Sequence, residues 1–269
     1  MPVRPWLHLA RVSNLPTVWA NVLAGLAWGW WCLQREAANG ETGGGETYAL
    51  VLTDPTGRPL AETSDFVFIL NASFAPLLAG TLLYVAGMIH NDAADARVDA
   101  AERPGRPVPA GRVSRRAAYA AAAALYASGV LGAGLSGSRL VVGAFVGLAL
   151  LAAAYNQLHQ RFAASITLVA ACRALLATAA GLLFFAPDLA PTPLRLVHPA
   201  ALFVYTLLVA TVARQEVRLA RVPLVIALLC AMPLLDAAFA GTAGVSGMAA
   251  VCLGLAVLAA AAQRFVRGS

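Results

Sequence analysis

Long, uninterrupted apolar segments constrain the fold of this 269-residue chain more than any other feature. A helix rises about 1.5 Å per residue, so roughly 20 apolar residues are needed to cross the hydrocarbon core of a bilayer. With 60% hydrophobic and 12% charged residues, the composition excludes an ordinary soluble domain, in which about a quarter of the residues are charged. We therefore predict one all-α transmembrane bundle over residues 1–269, with eight spans at 15–33, 66–90, 117–135, 139–156, 164–186, 199–213, 222–239 and 244–262.

The sixth of these segments is too short to cross a bilayer by itself. We expect its helix to extend from Pro199 towards Arg214, which gives it an adequate length. The apolar segments give eight spans, and nine spans are the alternative.

The arginines predict the orientation of the bundle. All 19 basic residues are arginine, a bias that GC-rich codon usage explains. With the N-terminus inside, fourteen arginines fall on the cytoplasmic side and Arg173 lies within a span, while four lie outside: Arg35, Arg58, Arg139 and Arg195. This asymmetry follows the positive-inside rule. We expect a multi-pass protein of the bacterial inner membrane, with its N-terminus and active-site loops in the cytoplasm.

Two other patterns exclude alternative classes. The arginines lie at helix ends rather than in one soluble patch, so the net charge of +6 does not indicate nucleic-acid binding. The four cysteines are widely spaced in or beside apolar segments and form no CxxC pair. They therefore indicate buried hydrophobic residues rather than a disulfide framework or a zinc site.

Residues 34–65 differ in kind from the rest of the chain. They hold a glycine-rich stretch and six of the thirteen acidic residues. We predict an extramembrane loop on the outer face, inserted into the bundle. A dispensable insertion and a functional loop both fit this composition.

The most informative polar feature is an acidic segment between the second and third predicted spans. It contains Asn91, Asp92, Asp95 and Asp99, followed by Glu102-Arg103-Pro104 and Arg106-Pro107. At about 100° per residue, the three aspartates fall on one helix face, where they repel each other unless a cation lies between them. Mg²⁺ prefers oxygen ligands and commonly binds one or two carboxylates together with phosphates and water. Arginines suit phosphate oxygens, so the segment predicts an Mg²⁺-diphosphate site.

This segment resembles the first aspartate-rich motif of the UbiA superfamily of intramembrane prenyltransferases. It shares the NDxxDxxxD spacing, the Arg-Pro tail and the place after the second helix, and the opening Arg11-x-x-Asn14-x-Pro16-x-x-x-x-Asn21 resembles that family's first helix. The resemblance implies a helical bundle around a central cavity that is open to the cytoplasmic side. It also implies Mg²⁺-dependent transfer of a prenyl group from a polyprenyl diphosphate to an aromatic or other lipophilic acceptor in the membrane lipid.

The resemblance also implies roles for particular residues. Asn91, Asp92, Asp95 and Asp99 would hold the metal, and Asp92 and Asp95 would act in catalysis. Diphosphate would be bound by Asn91, Arg103, Arg106, Arg161 and Arg214. The substrate cavity would include Asn14, Asn21, Tyr155, Asn156 and Arg173.

The second motif of the family departs from its usual pattern here. The family usually places two acids four residues apart between helices six and seven, whereas Glu216 is the single acid in Arg214-Gln215-Glu216-Val-Arg218. Two interpretations remain. Either Glu216 is the one catalytic metal ligand that the second motif supplies, or the second metal site is lost. This region is loosely similar to UbiA-like proteins encoded in bacterial operons of the ebo type.

Several polar residues in or near the spans have two interpretations. Charge within a bilayer is expensive and tends to mark function, so Arg173 is expected to face a cavity or a partner. Tyr155, Asn156, His159 and Arg161 suit either a substrate cluster or an interfacial anchor. Asn14 and Asn21 share a helix face and either line the cavity or form hydrogen bonds between helices.

Two classes of function therefore remain open. The first is an Mg²⁺-dependent prenyltransferase. The second is a non-catalytic UbiA-like protein that binds or transports an isoprenoid or an aromatic precursor, an alternative that the reduced second motif favours. The order of acidic motifs excludes a CDP-alcohol phosphotransferase. The acceptor and the length of the prenyl chain depend on the shape of the cavity.

Overall fold

A computed structural model describes residues 3–38, 65–185, 192–219 and 222–267 of the chain. Within these ranges the protein consists of helices and short connections without a strand, as the apolar segments predict. The helices are α1 (Val3–Ala10), α2 (Leu15–Ala38), α3 (Asp65–Ala72), α4 (Phe74–Ala94), α5 (Ala96–Glu102), α6 (Arg115–Ala133), α7 (Arg139–Leu158), α8 (Ile166–Gly181), α9 (Val197–Leu219), α10 (Val222–Thr242) and α11 (Ser246–Arg267).

Seven stretches of the described chain are long and apolar enough to cross a membrane: Phe74–Ala94, Arg115–Ser136, Arg139–Leu158, Ile166–Phe184, Pro193–Gln215, Leu224–Thr242 and Ser246–Arg264. The fifth of them confirms that the helix predicted at 199–213 extends to Arg214, and it also begins earlier than predicted, at Pro193. The first predicted span, 15–33, lies in α2, which is 24 residues long but also carries Asn21, Arg35 and Glu36. The count of eight spans stays a prediction.

The second predicted span is not one continuous helix. It divides into α3 and α4 at Ser73, whose hydroxyl donates a hydrogen bond of 2.6 Å to the Leu70 carbonyl. Pro76 lies just beyond the break and has no N–H to donate to the carbonyl of Ala72. Its ring also clashes with the carbonyl four residues earlier, so a helix that continues through this position is disfavoured. The membrane-crossing part therefore begins at Phe74.

Helix α2 runs through the centre of the bundle, where it packs against α4, α8, α10 and α11. Glycines permit its close approach to α8. A Cβ atom built on Gly25 would lie 2.5 Å from the Ala177 carbonyl oxygen, and one built on Gly29 would lie 2.6 Å from the Gly181 carbonyl oxygen. Contacts of this kind between small residues are typical of helix packing in membranes. They bring polar groups of α2 within reach of α8 and α10.

The predicted outer loop begins later than residue 34. Helix α2 continues to Ala38. Glu36 is buried, and its charge is compensated by a salt bridge of 2.5 Å with Arg195. At the other end, α3 starts at Asp65, whose carboxylate accepts a hydrogen bond of 3.4 Å from Gln34. Most of the predicted loop, residues 39–64, lies outside the described residues.

Candidate functional site

The acidic segment is mostly helical rather than a loop. Asn91 and Asp92 lie in the last turn of α4, Asp95 joins α4 to α5, and Asp99 lies within α5. The chain leaves the helical conformation at Arg103, where φ is −144° and ψ is 61°. Pro104 follows directly and disfavours a helical conformation for the residue before it. The Arg-Pro tail therefore folds back over the end of α4.

Arg106 lies between two of the aspartates. Its Nη1 atom is 2.7 Å from Asp99 Oδ2 and 3.5 Å from Asp92 Oδ1. Both carboxylates are buried, whereas the arginine side chain is one-quarter exposed. The Asp92 and Asp99 carboxylates repel each other, and the cationic nitrogen of Arg106 lies between them and offsets this repulsion.

Arg11 approaches the same carboxylate from the N-terminal side. Its Nη2 atom donates a hydrogen bond of 2.9 Å to Asp92 and one of 3.4 Å to Asn91. The backbone of Arg11 has φ 43° and ψ 49°, which is the left-handed region that arginine rarely adopts. Its carbonyl accepts a hydrogen bond of 3.3 Å from the Tyr84 hydroxyl. Contacts at both ends of Arg11 stabilise this conformation and direct its guanidinium to Asp92.

Asp95 has other partners. Its carboxylate lies 2.9 Å from His159 Nε2 and also accepts a hydrogen bond from Gln160. Burial acts to raise the pKa of Asp95, but the hydrogen bonds from His159 and Gln160 outweigh it and hold the pKa below its ordinary value. The pKa of His159 is raised, chiefly because its hydrogen bond to Asp95 stabilises the imidazolium. The ring of Tyr155 stacks on His159 at 5.2 Å.

A basic pocket opens in front of Asp92. Its volume is about 550 Å³, and its lining consists of His8, Arg11, Asp92, Arg103, Gly105, Arg106, Pro107 and Arg112. Four guanidinium groups around one carboxylate give the pocket a strong excess of positive charge. Arginines of this kind bind phosphate oxygens through paired N–H donors, so the pocket suits a diphosphate.

The donor set of this pocket fits a divalent cation that arrives together with phosphate. Among the described residues, no three acidic, histidine or cysteine side chains lie close enough together to form a protein cage for a metal. Mg²⁺ seldom needs such a cage, because it typically takes one or two carboxylates and completes its shell with phosphates and water. Asp92 and Asp99, which already share one cationic nitrogen, supply two such carboxylates.

An apolar cavity lies next to the basic pocket, between α2, α4, α7 and α8. Its volume is about 140 Å³, and its lining consists of Val18, Gly80, Leu83, Tyr84, Gly87, Met88, Leu148, Ala152, Tyr155, Asn156, Val169, Cys172, Arg173 and Leu176. Gly87 is one helical turn before Asn91, and Tyr84 donates its hydrogen bond to Arg11. Tyr155 connects the cavity to His159 and Asp95. The acidic residues and the cavity wall are therefore linked through Tyr84 and Tyr155.

Arg173 is held at the cavity wall by a buried polar relay. Its guanidinium donates hydrogen bonds of 2.8 Å to Asn21 and 3.0 Å to Thr17. The Asn21 amide donates one of 2.7 Å to Asp236, and the other carboxylate oxygen of Asp236 lies 2.9 Å from His198 Nε2. Asn21, Asp236 and His198 are fully buried. The relay places an anion near Arg173 without direct contact, which lowers the cost of a partly buried cation.

The structure brings some of the remaining predicted site residues towards this region and leaves others apart. Tyr155 and Asn156 line the cavity, and Asn21 forms hydrogen bonds between helices. Asn14 accepts a hydrogen bond from Gln263 of α11. Arg214 donates one of 3.2 Å to Ser165 and lies within electrostatic range of Tyr155. Arg161 is exposed, and the side chain of Glu216 lies outside the described residues.

Sequence reasoning did not assign several residues of the site. Arg11 belongs to the motif of the first helix, which indicated its importance without its contact to Asp92. Asp236 is an acid within an apolar span, a pattern that favours a structural or pore-lining role without naming its partners Asn21 and His198. His198 and Gln160 carry no comparable signal, because their partners lie 38 and 65 residues away in the sequence.

A helical membrane bundle with an acidic and arginine-rich pocket beside an apolar cavity defines the class of this protein. Residues 60–269 match the UbiA prenyltransferase family, and the chain belongs to this family. The family supports prenyl transfer within a membrane as the general activity. A comparison with curated proteins found no match.

A solved structure described as digeranylgeranylglyceryl phosphate synthase in membranes has a similar fold. The TM-score is 0.53 and the sequence identity is 13%, over 95% of this chain and 94% of the other. At 13% sequence identity, the similarity between the two structures shows a shared fold. It confirms the UbiA-like bundle that the acidic motif predicted.

Proposed function

We propose that this protein is an Mg²⁺-dependent prenyltransferase that passes a prenyl group from a polyprenyl diphosphate to a lipophilic acceptor within the membrane. The observation that carries the proposal is that a basic pocket and an apolar cavity lie next to each other. A pocket with four arginines and the Asp92 carboxylate adjoins an apolar cavity that lies between α2, α4, α7 and α8. A prenyl diphosphate has the same division, with a charged end and an apolar chain.

The residues of the pocket bind and neutralise the leaving group. Arg103 and Arg112 are exposed enough to receive phosphate oxygens, and Arg11 and Arg106 neutralise Asp92 and Asp99. When Mg²⁺ is bound, it acts as a Lewis acid that stabilises the negative charge of the departing diphosphate. We assign its ligands to Asn91, Asp92 and Asp99, with Asp95 held beside them by His159.

The apolar cavity protects the reactive centre. Departure of the diphosphate leaves an allylic cation, which water would capture, so the reaction requires a dry site. Leu83, Leu148 and Val169 exclude water there, while the aromatic ring of Tyr155 lies near the acidic end. We also propose that this end faces the bacterial cytoplasm, as the arginine distribution favours.

The test is diphosphate release by the purified full-length protein in nanodiscs, with Mg²⁺ and a panel of prenyl diphosphates of different length. We expect release with at least one donor and its loss in EDTA. Asp92→Ala and Asp95→Ala should each reduce the rate about 100-fold or more, because the charged groups at the leaving group are removed. Glu102→Ala, which changes an exposed acid of the same segment, is the matched control and should leave the rate unchanged.

Two results would contradict the proposal. One is the absence of release with every donor. The other is equal rates for wild type and both aspartate variants. A Glu216→Gln variant addresses the second motif, because full activity in it would show that this acid is dispensable.

A non-catalytic isoprenoid binder is the second candidate. It is favoured by the salt bridges of Arg11 and Arg106, which already neutralise Asp92 and Asp99. In that case the protein would bind a prenyl diphosphate tightly without releasing diphosphate. Isothermal titration alongside the release assay separates the two functions.

A further inference from the structure

The geometry points to a binding site for an anionic phospholipid in a further apolar pocket, the α7–α9 pocket, which lies between Leu140 of α7 and Pro199 of α9. This pocket is remote from the basic pocket. Helix α7 runs from Leu140, its second residue, to the position just before His159, which contacts Asp95. At a rise of 1.5 Å per residue, Leu140 and His159 are about 28 Å apart. The lipid site is therefore separate from the site proposed for prenyl transfer.

The α7–α9 pocket lies at the level where membrane-spanning helices end. Its volume is about 340 Å³. Leu140, Leu182 and Leu196 belong to its lining, and each lies within three residues of the end of a membrane-spanning stretch. The ends of such helices lie near the boundary between the hydrocarbon core and the lipid headgroups. A phospholipid at this level has its headgroup beside the helix ends and its acyl chains beside the bundle.

The walls of the pocket favour a hydrocarbon chain over water. Among its lining residues, only Thr178 and Arg195 have polar side chains. The Thr178 hydroxyl already donates a hydrogen bond of 2.9 Å to the Ala174 carbonyl. Water would find few partners there, whereas an acyl chain would gain contacts with the walls. The lining extends along α8 from Ala177 to Phe185, about 12 Å at the helical rise, which accommodates part of an extended chain.

Arg195 gives the pocket an anchor for a lipid oxygen. Its side chain is 10% exposed, and a charged group among apolar helices tends to mark function. Glu36 accepts hydrogen bonds from Nε at 3.0 Å and from Nη2 at 2.5 Å, and the Phe184 carbonyl oxygen lies 3.4 Å from both Nη atoms. Of the five guanidinium N–H groups, at least one on Nη1 has no acceptor in the described chain. A phosphate or ester oxygen can accept this hydrogen bond, whereas the tail of a prenyl chain has no oxygen.

Arg139 supplies the net positive charge at the edge of the pocket. Glu36 already balances the charge of Arg195. Arg139 directly precedes Leu140 of the lining, is exposed and has no salt bridge among the described residues. One arginine near a membrane surface favours an anionic lipid about fivefold. The ligand is therefore a phospholipid with an anionic headgroup rather than a zwitterionic one.

Native mass spectrometry of the full-length protein in detergent tests the inference. The probes are phosphatidylglycerol and phosphatidylcholine with identical acyl chains. We expect the first bound phosphatidylglycerol to have about fivefold higher affinity than the first bound phosphatidylcholine. Geranylgeranyl diphosphate is the competitor. It should leave phosphatidylglycerol bound, because the α7–α9 pocket is remote from the basic pocket and offers its apolar tail no hydrogen bond.

Variants assign the binding to the α7–α9 pocket. Thr178→Phe fills the pocket from the wall of α8 and should weaken phosphatidylglycerol binding at least about tenfold. Thr211→Phe is the matched control, because its hydroxyl also donates to the carbonyl four residues earlier and its side chain is exposed outside the pocket. Arg139→Gln should bring the affinities for the two phospholipids within about twofold. Arg116→Gln, at an exposed arginine in the first turn of α6, should preserve their difference.

Equal affinity of the wild type for the two phospholipids would overturn the inference whether or not the variants fold. Equal losses in Thr178→Phe and Thr211→Phe would also overturn it, because the bound lipid would then lie outside the pocket. Displacement of phosphatidylglycerol by geranylgeranyl diphosphate would do so as well, since the pocket would then bind the prenyl chain.

Discussion

The chain contains two clusters of charged residues, and they are built in opposite ways. At the end of α4, Arg106 contacts Asp99 seven residues away and Arg11 contacts Asp92 over 81 residues, and the pocket lined by Arg11, Asp92 and Arg106 is open. In the centre of the bundle, the relay joins Arg173 to Asn21 over 152 residues and Asn21 to Asp236 over 215 residues. The first cluster is open to a ligand. The second is assembled from distant helices and closed.

This difference indicates a difference in use. Arg11 and Arg106 are 35% and 25% exposed, so they can exchange a carboxylate for a phosphate at modest cost. Asp236 and His198 are fully buried, and neither can lose a partner without leaving a polar group unsatisfied. The outer cluster is therefore suited to binding and release. The inner cluster is suited to holding Arg173 in one position.

Loss of the Asp92 charge should have the largest effect on activity. In Asp92→Asn we expect diphosphate release to fall about 100-fold or more, because the carboxylate nearest the leaving group is gone. The free energy of unfolding should fall by about 1 kcal/mol or less, since both arginines that contact Asp92 reach solvent. Release assays and unfolding in mixed detergent measure the two quantities. A large loss of stability with unchanged diphosphate release would show that Asp92 has a structural role rather than a role in binding the leaving group.

Loss of the Asp236 charge should instead act on stability. In Asp236→Ala, Asn21 and His198 lose a buried partner and Arg173 loses its nearby anion, so the free energy of unfolding should fall by about 3 kcal/mol. Unfolding in mixed detergent measures this loss. Glu102→Ala, at an exposed acid, is the control and should be neutral. Equal stability of the two variants would show that the relay has no structural role.

The approach of α2 to α8 sets the geometry of the relay, and Gly25→Ala tests it. The new Cβ would lie 2.5 Å from the Ala177 carbonyl, a backbone atom that cannot move independently. We expect a loss of about 2 kcal/mol in the free energy of unfolding. Gly254→Ala is a matched control in α11, where a Cβ meets open space, and it should be neutral or slightly stabilising.

The smallest of these effects concerns one phosphate contact at the edge of the basic pocket. Arg103 is exposed and has no salt bridge among the described residues, so its charge is available to substrate. In Arg103→Gln we expect the KM for prenyl diphosphate to rise about fivefold with little change in kcat. Arg116→Gln, at an exposed arginine outside the pocket, should leave KM unchanged. An equal rise in both variants would indicate a diffuse surface charge rather than a bound phosphate.

Sequence reasoning predicted the parts of this protein that depend on neighbouring residues. The long apolar segments predicted helices at nearly all the observed positions, and the spacing of Asn91, Asp92, Asp95 and Asp99 predicted an acidic site beside arginines. It missed the break at Ser73, because the apolar pattern continues through it and only Pro76 marks the position. The contact of Asp95 with His159 was also not predicted, because 64 residues separate the two in the sequence.

The sequence by itself determined the class of the molecule. Apolar length and helical period are local properties, and a chain with these segments has to satisfy its backbone hydrogen bonds within helices. Only the tertiary structure decided which helices meet. The contacts of Arg173 with Asn21 and of Asp236 with His198 arise when α2, α8, α9 and α10 pack together. No local pattern encodes those distances, because each depends on the crossing of helices that are far apart in the chain.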